Sequence, residues 1–192
     1  MNDEPEQEGD ALVAISRRRF LKLGLLATGV GVAYPMAVSA KVRLPHERTL
    51  ELYNIHTGEQ LRGAYWSGDG YDSGVLTEIN HLLRDYRTGE VKAIEPSLLD
   101  LLHSINQVLE SSQPFHVVSG YRSPATNAFL AERSRGVAKH SLHMEGKAID
   151  VYLANRPLKE LHRVALALGK GGVGYYPESD FVHVDVGRVR SW

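Results

Sequence analysis

Two stretches well separated in the chain share a strict period of two, and this alternation constrains the fold more than any other feature. In Asp180–Val186, DFVHVDV, the side chains of Val182, Val184 and Val186 point one way and those of Phe181, His183 and Asp185 the other. In Lys147–Leu153, KAIDVYL, the residues Ile149, Val151 and Leu153 form one side while Ala148, Asp150 and Tyr152 share the opposite one. Such patterns specify strands buried on one face. The polar residues then belong to the other face, in a solvated site or a cleft. His143 lies seven positions before Asp150 in SLHMEGKAID, and Gly146 permits a tight bend that returns it to the strand. Pairing of the two strands would bring His143, Asp150 and His183 together.

Two imidazoles and one carboxylate leave a fourth tetrahedral position open, as in a catalytic rather than a structural zinc site. None of the 192 residues is cysteine. Thiolate ligands, disulfides and cysteine nucleophiles are therefore excluded, and any metal must rest on histidine and carboxylate. Hydrolysis at such a site also needs a base. Asp180, three residues before His183, and Asp185, two residues after it, both qualify, and both also suit orienting a ligand imidazole. Spacing alone leaves the two roles open. In SGYRS, Ser119–Ser123, Gly120 allows a sharp turn at the end of a buried strand. Arg122 is then expected at an exposed sheet edge, to bind a carboxylate or to stabilise a tetrahedral intermediate. Taken singly, each of these residues also has a structural explanation in a cap, a loop or an ion pair. His46, His56, His81, His103, His116, His140 and His162 read as structural, with His140 nearest the motif.

The rest of the chain describes a small α+β domain, a mostly antiparallel sheet with packed helices. RTLELYNIHTGEQLRGAYW reads as a hairpin turning at Gly58. Helical spacing links Val75, Leu76, Ile79, Leu82, Leu83 and Tyr86. A second helix opens at Pro96 with a core stripe of Leu98, Leu99, Leu102, Ile105 and Leu109. FHVVSGY reads as a buried strand, SPATNAFLAERS as a short helix, and NRPLKELHRVALALG as a helix running from Pro157 to Gly169. Short strands at Val173–Tyr176 and Phe181–Val186 follow. The formal net charge of −1 and the lack of a basic cluster exclude a nucleic-acid partner.

Residues 1–40 read as a separate segment. An acidic opening leads into SRRRFLK, with paired Arg17 and Arg18, and then an apolar Gly- and Ala-rich stretch. This is the order of a twin-arginine export signal, with Val38 and Ala40 offering a cleavage site. Removing its 4 basic and 5 acidic residues leaves 18 of each in the domain expected over 41–192. Export would place that domain in a bacterial periplasm, with membrane contact only in transit.

SGYRSPATN, SLHMEGKAID and GGVGYYPESDFVHVDVG, in that order, resemble the zinc peptidases of peptidoglycan that include D-Ala-D-Ala carboxypeptidases and dipeptidases. The motif Ser-x-His-x-x-Gly-x-Ala-x-Asp is complete. RTLELYNIHTGE, LLRDYRTGEV and IEPSLLDLL are similar to the exported branch containing a periplasmic murein endopeptidase that cleaves meso-diaminopimelate cross-links. The resemblance implies the hedgehog/DD-peptidase fold and one Zn²⁺ held by His143, Asp150 and His183. It also implies Asp180 as catalytic base and Arg122 as the residue holding substrate or stabilising the transition state. Ser141 becomes a supporting or substrate-contacting residue, leaving Asp185 beside the ligands. The expected activity is zinc-dependent hydrolysis of stem-peptide cross-links. Two rivals stay open, a D,D- or L,D-carboxypeptidase or dipeptidase, and a non-catalytic peptidoglycan-binding module.

Overall fold

Segments with period-two patterning form strands in this computed structural model, which describes residues 47–133 and 137–192. The expected export segment, and His46, lie outside those residues. β1 (Arg48–Asn54) and β2 (Gln60–Ser67) make the expected hairpin, with Gly58 left-handed at φ +73° in the connection. The two-residue β3 (Gly70–Tyr71) extends it. α1 (Ser73–Leu82) starts at Asp72, whose side chain accepts from the Val75 N–H. It stops before Tyr86, which stacks on His56 with ring centroids 3.9 Å apart. α2 (Pro96–Leu109) has proline in its first turn, and its leucine stripe with Ile105 is fully buried. Each of those side chains contributes roughly 1.5–3 kcal/mol by leaving water.

β4 (Phe115–Ser119) is followed by α3 (Pro124–Arg133), a 3-10 turn at Leu142–Glu145, and β5 (Ala148–Leu153). α4 (Leu158–Leu168) is capped by left-handed Gly169. Then come β6 (Gly172–Tyr176), a 3-10 turn at Pro177–Ser179, β7 (Phe181–Asp185) and β8 (Arg190–Ser191). One sheet results, in the order β3-β2-β1-β4-β5-β7-β6-β8. Only β1–β4 and β6–β8 run parallel, so the sheet is mostly antiparallel as expected. Among the described residues no helix is long and apolar enough to cross a membrane.

One face of the sheet is the core. Leu50, Leu52, Phe115, Val117, Ile149, Val151, Val182 and Val184 are buried with the apolar stripes of α2 and α4. The register pairs Asp150 with His183 across β5 and β7, on the opposite face. An irregularity between Val117 and Ser119 sets Ser119 opposite Asp150, after which the chain leaves the sheet through Gly120–Ser123.

Asp85, which is buried, ties down that exit. Its carboxylate accepts from the Ser123 N–H at 2.9 Å and from the Arg87 N–H at 3.0 Å. Burial alone would raise its pKa, but hydrogen bonds from Thr126, Ser123 and Arg87 outweigh it and hold the group below the usual carboxylate range. A depressed carboxyl contributes stability above its unfolded pKa near ~3.9, lost as pH falls through the lower folded value. Asp85→Asn should therefore destabilise the domain by about 1–3 kcal/mol at pH 7 in urea denaturation. The gap to wild type should narrow below pH ~4.

Candidate metal centre

Three electron-pair donors meet at one point on the open sheet face. His183 Nδ1 lies 2.8 Å from Asp150 Oδ1, and His143 Nε2 lies 3.2 Å from both. All three side chains are buried, His143 with 2% of its surface exposed and Asp150 with 5%. Local structure explains the convergence. Ser141 caps the 3-10 turn by accepting from the His143 N–H, and Gly146 ends the turn at φ +70°. A Cβ at Gly146 would collide with the Ala93 carbonyl, so only glycine lets the turn close against that segment.

Outer contacts decide which nitrogen of each imidazole faces the cluster. His143 Nδ1 is 2.8 Å from the Gly120 carbonyl, an acceptor, so Nδ1 carries the hydrogen and Nε2 turns its lone pair inward. His183 Nε2 is 3.1 Å from Asp185 Oδ2, which leaves Nδ1 for the cluster. Two inward-facing ring nitrogens beside a carboxylate, with both opposite nitrogens held by acceptors, make a group that could hold a cation. The same residues shape the electrostatics. Burial pushes the His183 pKa down, but the Asp150 and Asp185 carboxylates outweigh it and hold it up at about 9. Asp150 is held well below its usual range by the two imidazoles despite its burial.

Asp185 is completely buried and saturated. It accepts from the Gly172 N–H at 3.0 Å, the Gly187 N–H at 2.8 Å and both terminal nitrogens of Arg190 at 2.7 and 3.1 Å. The face opposite the valines is thus a sealed support for His183 at this position, not a solvated one.

Arg122 departs from expectation. It is not exposed at an edge but buried, with Nη2 3.2 Å from Ser119 Oγ and 3.4 Å from Asp150 Oδ2. Burial lowers its pKa, opposed by the Asp150 charge. Its backbone N–H donates to the His143 carbonyl at 3.2 Å, which links the arginine to the histidine turn. Asp180 stands at the mouth of β7, exposed and left-handed at φ +53°. Ser141 lines the cavity over the cluster, together with Arg122.

The cavity wall also holds residues that no motif or period marks. His140 lines the cavity, as do Tyr176, Arg190 and Trp192. Arg190 and Trp192 gave no periodic signal, because they reach the site through a two-residue parallel strand on β6. Three of the remaining histidines make contacts away from the cavity. His56 meets the Val118 carbonyl, His103 the Thr49 carbonyl, and His162 stacks on Tyr175.

The profile of the family Peptidase_M15_2, described as Peptidoglycan L,D-endopeptidase MepK, matches residues 42–192. Peptidoglycan L,D-endopeptidase MepK of Escherichia coli strain K12 is 42% identical over 177 residues, covering 92% of this chain and 97% of that protein. The protein of the same name from Shigella flexneri matches to the same extent. Probable peptidoglycan L,D-endopeptidase MepK of Haemophilus influenzae is 42% identical over 179 residues, covering 92% of this chain and 95% of that protein.

Two outcomes test the cation site. Asp185→Asn weakens the hold on His183 and should lower divalent-metal affinity about 10- to 100-fold in competition with a chromogenic chelator. In metal-stripped protein, a cation must displace the His183 proton. Affinity should therefore rise with pH and level off near pH 9, at about tenfold per unit below that value.

Proposed function

This chain belongs to the Peptidase_M15_2 family of metallopeptidases, and from that membership we propose that it is a zinc-dependent murein endopeptidase. Its substrate is the peptide cross-link of peptidoglycan, and we extend to this chain the L,D-specificity in its relatives' names. The observation that carries the reading is the convergence of His143, Asp150 and His183 within a domain that matches the family from end to end. We read the α+β architecture as the hedgehog/DD-peptidase fold.

The donor set favours zinc, since two nitrogens and one carboxylate oxygen suit it and the chain has no thiolate to offer. Bound there, zinc supplies Lewis acidity, polarising a carbonyl and lowering the pKa of water. His143, Asp150 and His183 would hold it, with Nε2 of His143, Nδ1 of His183 and Oδ1 of Asp150 the atoms that face one another. Asp180 takes the proton of the attacking water and delivers it to the leaving amine. In support, its carboxylate is solvent-accessible and sits three residues before His183. Arg122 holds a substrate oxygen and stabilises the charge that develops on it. Its Nη2 lies 3.2 Å from Ser119 Oγ and 3.4 Å from Asp150 Oδ2, and the residue lines the cavity beside the cluster. Ser141 contacts substrate from the cavity wall, and Asp185 fixes the orientation of His183.

Residues 1–40 serve as a twin-arginine export signal that delivers the folded domain to the periplasm. SRRRFLK supports this, as does a family match that begins just after the Ala40 cleavage site.

Chromatography of digested muropeptides is the deciding experiment. Purified protein should split cross-linked species in isolated sacculi, and a chelator should abolish the products. Release of single terminal amino acids instead would make it a carboxypeptidase, and a metal-loaded inert protein would make it a binding module. Asp180→Ala should retain its metal yet lose activity by about 100-fold or more.

A further inference from the structure

We propose that Tyr176 contacts substrate, its phenol O–H donating to an oxygen of the bound peptide, and that Trp192 is the positioning residue that frees and aims this group. The inference rests on the peptidase reading above and extends it to the wall of the cavity built by β6 and the residues after β7.

Tyr176 ends β6, two residues after Gly174, and the two pair with Phe181 and His183 on β7. Trp192 follows β8, and its backbone is stitched to β6. Its N–H donates to the Val173 carbonyl at 3.2 Å, and its own carbonyl accepts from the Tyr175 N–H at 3.1 Å. The indole lies over Gly174, where a Cβ would stand only 2.7 Å from the ring. Its centroid is 5.3 Å from that of His183, and the Arg190 guanidinium sits 4.9 Å from it. Trp192, 50% exposed, thereby lies between the His183 ring and the open side of the cavity.

Indole Nε1 donates to the Tyr176 oxygen at 2.7 Å. An indole N–H only donates, so Tyr176 is the acceptor in this bond and keeps its own hydrogen to give away. None of the described residues accepts it. The phenol ring is independently held by stacking on Phe181, with centroids 4.6 Å apart and planes 22° apart. A donor whose ring and oxygen are both fixed before ligand arrives loses little freedom on binding. Tyr176, Phe181 and Trp192 line the same cavity of ≈ 380 Å³ as Arg122, His143 and His183. A peptide chain, rich in carbonyl and carboxylate oxygens, supplies the acceptor.

Tyr176→Phe keeps the stacking and removes only the O–H. With metal content and Tm at wild-type values, kcat/KM on cross-linked muropeptides should fall about tenfold, mostly through KM. Trp192→Phe, which removes the aiming N–H, should move the same parameter in the same direction. The double variant should fall no further than Tyr176→Phe alone, because both changes remove one contact. Binding gives a second readout. Trp66 and Trp192 are the two tryptophans, so in a Trp66→Phe background the emission of Trp192 reports peptide binding to metal-stripped protein. There Tyr176→Phe should weaken the peptide about tenfold. Wild-type kcat/KM and wild-type peptide affinity in Tyr176→Phe would overturn the proposal, as would a loss that tracks lost metal or lowered Tm. A wild type inert on every muropeptide would defeat the parent reading alone, and the emission titration would still decide the contact.

Discussion

The pairing of Asp150 with His183 across β5 and β7 is the interaction on which the rest of the site depends. It sets a carboxylate oxygen and an imidazole nitrogen 2.8 Å apart on two central strands of the sheet. Because both strands are locked by side chains buried on the other face, Ile149, Val151 and Leu153 on β5 and Val182 and Val184 on β7, the pair cannot drift without disturbing the core. His143 is brought to this fixed edge by a single turn, closed by the Ser141 cap and the left-handed Gly146. A site on strands, with one of its three side chains on a short turn, is held more closely than one on loops.

Burying an aspartate, an arginine and two imidazoles side by side is costly unless each finds a partner. Here the partners are arranged in a chain. Arg122 lies beside Asp150, Asp150 beside both imidazoles, His183 against Asp185, and Asp185 on Arg190. The backbone amides of Gly172 and Gly187 complete Asp185. Among the described residues, acceptors hold the outer nitrogen of each imidazole, while the inner nitrogens and Asp150 Oδ1 face one another. That asymmetry suits the cluster to a cation better than an ordinary buried ion pair would.

Much of this was legible in one dimension. Period-two alternation assigned Asp150, His183 and Asp185 to the face opposite the core valines, and the hairpin, the helix opening at Pro96 and the glycine-capped α4 occur where local chemistry calls for them. The short edge strands β3 and β8 were not legible, since two residues carry no period. Nor was the burial of Arg122. A turn at Gly120 suggests exposure, but Asp85 draws Ser123 inward from a loop distant in sequence. His140 looked structural because a single loop histidine has no pattern to set it apart, yet it lines the cavity.

By itself the sequence determined which side chains share a face, where the chain bends, and that any metal here is held without thiolate. Those are local consequences of strand periodicity, glycine stereochemistry and composition. Only the tertiary structure decided the register that sets Asp150 against His183, the acceptors that turn each imidazole, and the Arg190–Trp192 segment that backs them. Alternation specifies a strand's two faces but not its neighbour. The neighbour is chosen by how the whole sheet buries its apolar side on α2 and α4.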